Sequence, residues 1–252
     1  CKDSRKAKGK RGIKAIMRAI AAKELESYYN TMTGYVYMAI CLLVCGIFFA
    51  SENIRGGSAS FLGVVSAISY VLILITPILT MKSFAEEKKS KTDQMYLTAP
   101  ISITKVVLGK YFAALAVLLI TLVISFIFPA ILYFFGKPYI GEILLGYLGI
   151  ILIGGAFIAI GIFISSISVN QLSACVSTLG ILLFLWLMDT IVPSLSNPVL
   201  TKVYLSVSLY NQFNNFQTGV LSISSIVYFL TLICLCLFFT VKSIEKRRWS
   251  KG

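Results

Sequence analysis

Histidine is absent from the 252 residues, and charged side chains make up only 13% of them. The first absence removes imidazole metal ligands and imidazole acid–base chemistry altogether. The second is about half the charged share of an ordinary soluble domain. Meanwhile 58% of the residues are hydrophobic and the mean hydropathy is +0.87. A soluble fold of this length buries a core, but it cannot cover this much apolar surface with so few charges. The composition reads as an integral membrane protein. Acids are scarcer than bases, 10 against 23, for a net charge of +13. The bases gather at the ends of apolar stretches rather than on one folded face. They therefore read as partners of anionic lipid headgroups that fix orientation, not as a nucleic-acid surface.

Several chemistry-bearing motifs are also missing. No Gly-rich loop leads into Lys and Ser/Thr, so the chain is not expected to hydrolyse ATP alone. There is no HExxH, no GxSxG and no pair of carboxylates inside an apolar span, which argues against a protease or transferase. Of the six cysteines, Cys41, Cys45, Cys175, Cys234 and Cys236 fall inside apolar spans. They read as small buried hydrophobes rather than a disulfide framework. Cys41 and Cys45 share a helix face, as a soft-metal site would need, but further ligands are lacking. The remaining one, Cys1, is not a translational start. A lipoprotein-like Cys start would place the nine bases that follow on the outside, so the true N-terminus is expected upstream.

What is present is ordered along the chain. Lys2, Arg5, Lys6, Lys8, Lys10, Arg11, Lys14, Arg18 and Lys23 form a basic N-terminal segment. From about Gly12 the pattern turns helical, with Ile13, Ile16, Met17 and Ile20 on one side. This predicts an amphipathic helix in the membrane interface, within a unit 1–30. Glu24 falls on the apolar side, so the stripe ends near Ala21. Six apolar spans follow, at about 33–51, 61–81, 111–135, 143–168, 172–192 and 223–241, within a unit 31–242. None has a charge at its middle, where one would cost about 2.5–3.5 kcal/mol on insertion scales. Asp189 sits near the end of the fifth. Pro77 and Pro129 are expected to kink their helices. Gly154, Gly155, Ala159 and Gly161 give the fourth span a small-residue packing face.

With the N-terminus inside, the inner segments hold 20 basic residues and the outer ones 3, namely Arg55, Lys137 and Lys202. The positive-inside rule then puts both termini in the cytoplasm of a multi-pass plasma-membrane protein, 243–252 being a basic tail. The long outer segment 193–222 contains Pro193 and Pro198. It also spreads Val199, Leu200, Val203, Leu209, Phe213 and Phe216 along its length. It is read as one or two short helices at the outer interface, since a plain loop would leave these residues in water.

The inner segment 82–110 is the long polar stretch between two apolar ones. Its acids and lysines give way to Met95-Tyr96-Leu97 and break at Thr98-Ala99-Pro100, after which Ser102 or Thr104 is placed to cap the next helix. The apolar trio would be wasted in a solvated loop, so the segment is read as a short amphipathic helix offered to a soluble partner.

These residues resemble a known family. Lys23-Glu24-Leu25 before Tyr28-Tyr29 is similar to its KEL…Y start, and Gly34-Tyr35-Val36 opens the first span. Phe84-Ala85-Glu86-Glu87-Lys88-Lys89, followed by Thr92 through Ser102, resembles its EE+++GT…LL…P+S signature, with Lys91 where the family usually has Gly. Ser243-Ile244-Glu245-Lys246-Arg247-Arg248-Trp249 is similar to its C-terminal end. The family is the permease subunit of type-2 ABC transporters, and the nearest resemblance is to the gliding-motility (GldF-like) branch.

The resemblance implies a six-helix all-α membrane fold with a coupling helix between spans 2 and 3 that docks on a separate ATPase subunit. It makes Glu86, Glu87, Lys88, Lys89, Thr92, Asp93, Met95, Tyr96 and Leu97 the candidate ATPase contacts. It also implies ATP and Mg in that partner and none in this chain, a second permease copy or a related permease, and room for an extracellular auxiliary subunit. The leading expectation is ATP-driven export of an amphipathic, lipid-like or peptide substrate. Two alternatives stay open: a non-transporting membrane anchor for an ATPase or an extracellular partner, and a secondary carrier, which would call for buried ionisable residues.

Overall fold

The computed structural model describes residues 20–90, 102–135, 138–191 and 208–250. Most of these residues are helical, with no strand among them. A helix over 20–30 precedes six helices long and apolar enough to cross a membrane. Span 1 is Thr33–Arg55, its last turns π-helical from Phe49, and span 2 begins at Leu62. Span 3 runs as Ile103–Ser125 and Ile127–Phe135. Span 4 is Ile140–Ile167, span 5 is Gln171–Ile191, and span 6 is Ile223–Ser250. The protein is a six-span all-α membrane protein.

Span 4 is the hub. Its apolar window is 83% buried, against 61% for span 2 and only 17% for span 5. It packs on spans 2, 3, 5 and 6. The small residues explain how so many neighbours fit. A Cβ on Gly154 would stand 2.7 Å from a methyl of Leu118, and one on Gly161 would overlap Thr80 Oγ1. The expected small-residue face is thus packed on spans 2 and 3 at Gly154, on spans 3 and 6 at Gly155 and on span 2 at Gly161, and Ala159 is buried. Gly149, outside that expected set, seats a short helix Leu209–Gln217, whose Phe213 and Phe216 are 1% and 0% exposed. A Cβ there would meet Phe216 Cβ at 2.7 Å. Gly149→Ala should destabilise the protein by about 1–3 kcal/mol through overpacking, read as a lower melting temperature in detergent. Gly141→Ala, with nothing within 4 Å of the new methyl, should not.

The helix Leu209–Gln217 realises part of the expected structure in 193–222; residues 192–207 lie outside the described residues. Ser208 caps it, its Oγ accepting the Asn211 N–H at 3.0 Å. Asp189 at the end of span 5 accepts the Tyr210 N–H at 3.3 Å. An acid at a helix N-terminus suits the helix dipole.

The two prolines act differently. Leu62–Thr80 runs through Pro77 without a break. Pro129 lies three residues beyond the interruption at Phe126, and it has no N–H to offer the Ser125 carbonyl. The Tyr147 hydroxyl from span 4 donates to that carbonyl instead, at 3.1 Å, so span 3 is broken and yet satisfied.

In span 3 the helix is longer than the apolar stretch: it begins at Ile103, beside Ser102, one of the two expected cap positions, eight residues before the apolar stretch opens at 111. Ser102 occupies the N-cap position, although its side chain accepts no backbone N–H. Lys110, expected at the end of a polar loop, is therefore the eighth residue of a helix and only 2% exposed. Span 6 likewise continues past 241 to Ser250, carrying the basic C-terminal residues on an unbroken helix.

Candidate functional site

At the basic end of the bundle, the chain leaving span 2 turns at 81–84 and forms a five-residue helix, Ala85–Lys89. So short a helix has little stability of its own and leaves N–H groups at its start and carbonyls at its end without internal partners. Phe84 at its N-cap supplies no side-chain cap. Span 4 supplies one: the backbone N–H groups of Phe84 and Ala85 both donate to Ser165 Oγ at 3.1 Å. The Ser165 hydroxyl donates in turn to the Met81 carbonyl at 3.3 Å. Ser165, Phe84 and Ala85 are buried.

The attachment is reciprocal. Lys88 reaches back to the C-terminal end of span 4, its Nζ donating to the carbonyls of Ser166 and Ser168, the latter at 2.7 Å. A cation here meets both the orphan carbonyls and the negative end of the helix dipole.

The third fastening is ionic. Lys110 Nζ stands 2.6 Å from Glu24 Oε1 and 2.8 Å from Glu87 Oε1, and it lies over the Phe84 ring, 5.1 Å from the centroid. Among the described residues it is the buried charged side chain; the two carboxylates are 22% and 26% exposed. An isolated ammonium this deep would be strongly disfavoured, so two acids converge on it from elements 86 and 23 residues away in sequence. The cluster joins three pieces: the 20–30 helix through Glu24, the Ala85–Lys89 helix through Glu87, and span 3 through Lys110. Gly109 lets the first lie close on the last, since a Cβ there would meet Ile20 at 2.8 Å.

A polar recess of about 210 Å³ opens beside the cluster, lined by Lys23, Glu24, Tyr28, Lys82, Glu86 and Lys110 among others. Lys82 donates to Thr33 Oγ1 at 3.1 Å, tying the start of span 1 to the same end. Burial pushes the Tyr28 phenol above its ordinary range, and the charges of Glu24 and Glu87 push it the same way. Tyr28 therefore stays protonated at any physiological pH.

Of the expected contact residues, Glu86 and Lys89 are exposed, whereas Glu87 and Lys88 are half-buried and engaged within the bundle. Thr92, Asp93, Met95, Tyr96 and Leu97 lie outside the described residues. Sequence reasoning missed Glu24, Lys110 and Ser165. The interruption of the apolar stripe at Glu24 was the available signal for the first: an acid on the buried side of an interfacial helix needs a cation to face. Among the described residues, no three His, Cys, Asp or Glu side chains gather to hold a metal ion. The thiols of Cys41, Cys45, Cys175, Cys234 and Cys236 are free.

No curated protein matches the chain. The family described as ABC-2 family transporter protein matches residues 7–244, most of its length. With six membrane-crossing helices and that match, the chain belongs to the ABC-2 transporter family, as a multi-pass permease subunit of an ABC transporter whose ATPase is a separate chain.

Proposed function

We propose that this permease carries out ATP-driven export of an amphipathic, lipid-like or peptide substrate across the plasma membrane, and that segment 82–110 couples it to its ATPase subunits. The observation that carries the coupling is the two-sidedness of Ala85–Lys89. One side is fastened through Ser165, Lys88 and the Glu87–Lys110–Glu24 cluster, while Glu86 and Lys89 are exposed. A helix held this way can pass a push from a docked partner into spans 3 and 4 and shift their inward–outward equilibrium.

In this reading the basic end faces the cytoplasm with both termini, as the 20-to-3 distribution of bases favours. ATP and Mg bind the ATPase subunits. A second copy or a related permease completes the membrane domain. Span 5, with 17% of its window buried, leaves the most surface for lipid or such a partner. The motif around 84–102 favours the gliding-motility branch within the family. The substrate class follows from the charge pattern. The single buried charge among the described residues sits at the basic end, neutralised by two acids, which leaves little to stabilise a small ion on its way across.

The test is transport by the permease and its cognate ATPase in proteoliposomes. ATP-dependent movement of amphipathic probes, and none of small ions, is expected. ATP hydrolysis with no movement of any probe class would replace export with the anchoring role, and movement driven by an ion gradient without the ATPase would replace it with a carrier.

A further inference from the structure

We propose that the groove between spans 3 and 6 at the basic end binds one anionic phospholipid of the adjoining leaflet, with an acyl chain in the groove and the headgroup at Lys242. The leaflet is the cytoplasmic one if the orientation proposed above holds; the binding chemistry does not depend on it.

The groove has a volume of about 390 Å³. On one side Thr104, Val107 and Leu108 line it at three- and four-residue spacing, and on the other Cys234, Leu237, Phe238 and Val241 continue into Lys242 and Glu245. The span 6 stripe from Cys234 to Glu245 is about 16 Å long at 1.5 Å per residue. That is about half the roughly 30 Å hydrocarbon thickness, one leaflet's depth. Apolar residues fill the deep part and polar ones its mouth, which matches the profile of a phospholipid rather than that of a soluble ligand.

The mouth selects the headgroup. The Lys242 ammonium lies 5.8 Å from the Phe238 ring centroid and pairs with Glu245 at 2.9 Å. Both side chains of that pair are open to the surroundings, at 58% and 38%. A pair so exposed holds weakly, so a phosphate can share Lys242 or displace the carboxylate. Lys246 is exposed one turn further on, and Lys105 stands half-exposed beside Leu108. Lys242 and Glu245 line the mouth, and Lys105 and Lys246, each next in sequence to a lining residue, add positive charge near it. Juxtamembrane lysines each raise the attraction to anionic lipid by about fivefold.

The test needs no ATPase, so its outcome is independent of the transport reading. Purified permease is reconstituted in nanodiscs of equal phosphatidylglycerol and phosphatidylcholine, re-extracted in mild detergent, and its retained lipid is counted by native mass spectrometry. Wild type should retain one phosphatidylglycerol per chain in about tenfold preference to phosphatidylcholine. The variant Lys242→Glu with Lys246→Glu, at exposed positions that leave the packing intact, should bring the preference to about one. Leu108→Trp, which fills the groove, should lose the retained lipid of both kinds. Equal retention of the two lipids by wild type would overturn the proposal, as would unchanged phosphatidylglycerol on Leu108→Trp. If Leu108→Trp instead separates dimers without changing lipid, the groove is a contact between copies and the lipid assignment is wrong.

Discussion

Replacing Glu24 and Glu87 together by glutamine should destabilise the protein by about 3–5 kcal/mol, the range for stranding a buried charge. Lys110 is 2% exposed, and its ammonium rests on two carboxylate oxygens at 2.6 and 2.8 Å. Each single change leaves one carboxylate in place and should cost less than half as much. The pair should therefore be non-additive, as residues sharing one partner are. Adding Lys110→Met to the double variant removes the stranded charge while keeping an unbranched chain of similar size, and should recover most of the loss. In a melting experiment on detergent-solubilised protein, the double variant should fall by about 6–20 °C and the triple variant should return most of the way. Additive single effects with no recovery would mean that the cluster contributes nothing as a unit.

Ser165→Ala should release the short helix without unfolding the bundle. Two buried N–H groups, those of Phe84 and Ala85, share Ser165 Oγ. Left without an acceptor they cost about 1–3 kcal/mol each. Because Ala85–Lys89 has only five residues, that loss falls mainly on local opening rather than on global unfolding. Hydrogen exchange at residues 84–90 should accelerate by about 30-fold or more, a shift of about 2 kcal/mol, while span 4 amides keep their protection. Exchange at 84–90 equal to wild type would show that Lys88 and Glu87 hold the helix without Ser165.

Most of the fold was legible in the amino acids because lipid imposes a simple rule: spans must be long, apolar and free of central charge. Spans 1, 2, 4 and 5 follow it, and their ends fall close to the expected positions. The rule failed where charge is present and satisfied by distant chain. The apolar stretch of span 3 was read as opening at 111, although its helix starts at Ile103, beside the expected cap at Ser102, and carries Lys105 and Lys110. What makes Lys110 tolerable in a helix is a pair of acids from two other elements, and local pattern carries no record of that. Span 6 overran its expected end for a related reason: a helix can leave the membrane with its lysines in water and keep its backbone bonds. Glu24 marks how far local reasoning reached. It broke an apolar stripe, which showed that something was wrong with that face and not what the face met. The segment 82–110 was legible as a polar element, and its charges were all read as offered outward. Glu87 and Lys88 instead turn inward, because only tertiary contact decides which side of so short a helix is free.

That division gives the decisive test. ATP hydrolysis and co-purification should be measured for the reconstituted permease–ATPase complex, comparing wild type with Glu86→Arg, Lys89→Glu. Both residues are exposed and outside the internal cluster, so the permease should keep its melting temperature. Reversing both charges sets like against like across a docked interface, which costs several kcal/mol, so ATPase binding should weaken at least about tenfold and permease-dependent hydrolysis should fall with it. Unchanged binding and hydrolysis in a stable variant would contradict the account, showing that the outward side of Ala85–Lys89 is solvated and that the ATPase is driven from elsewhere.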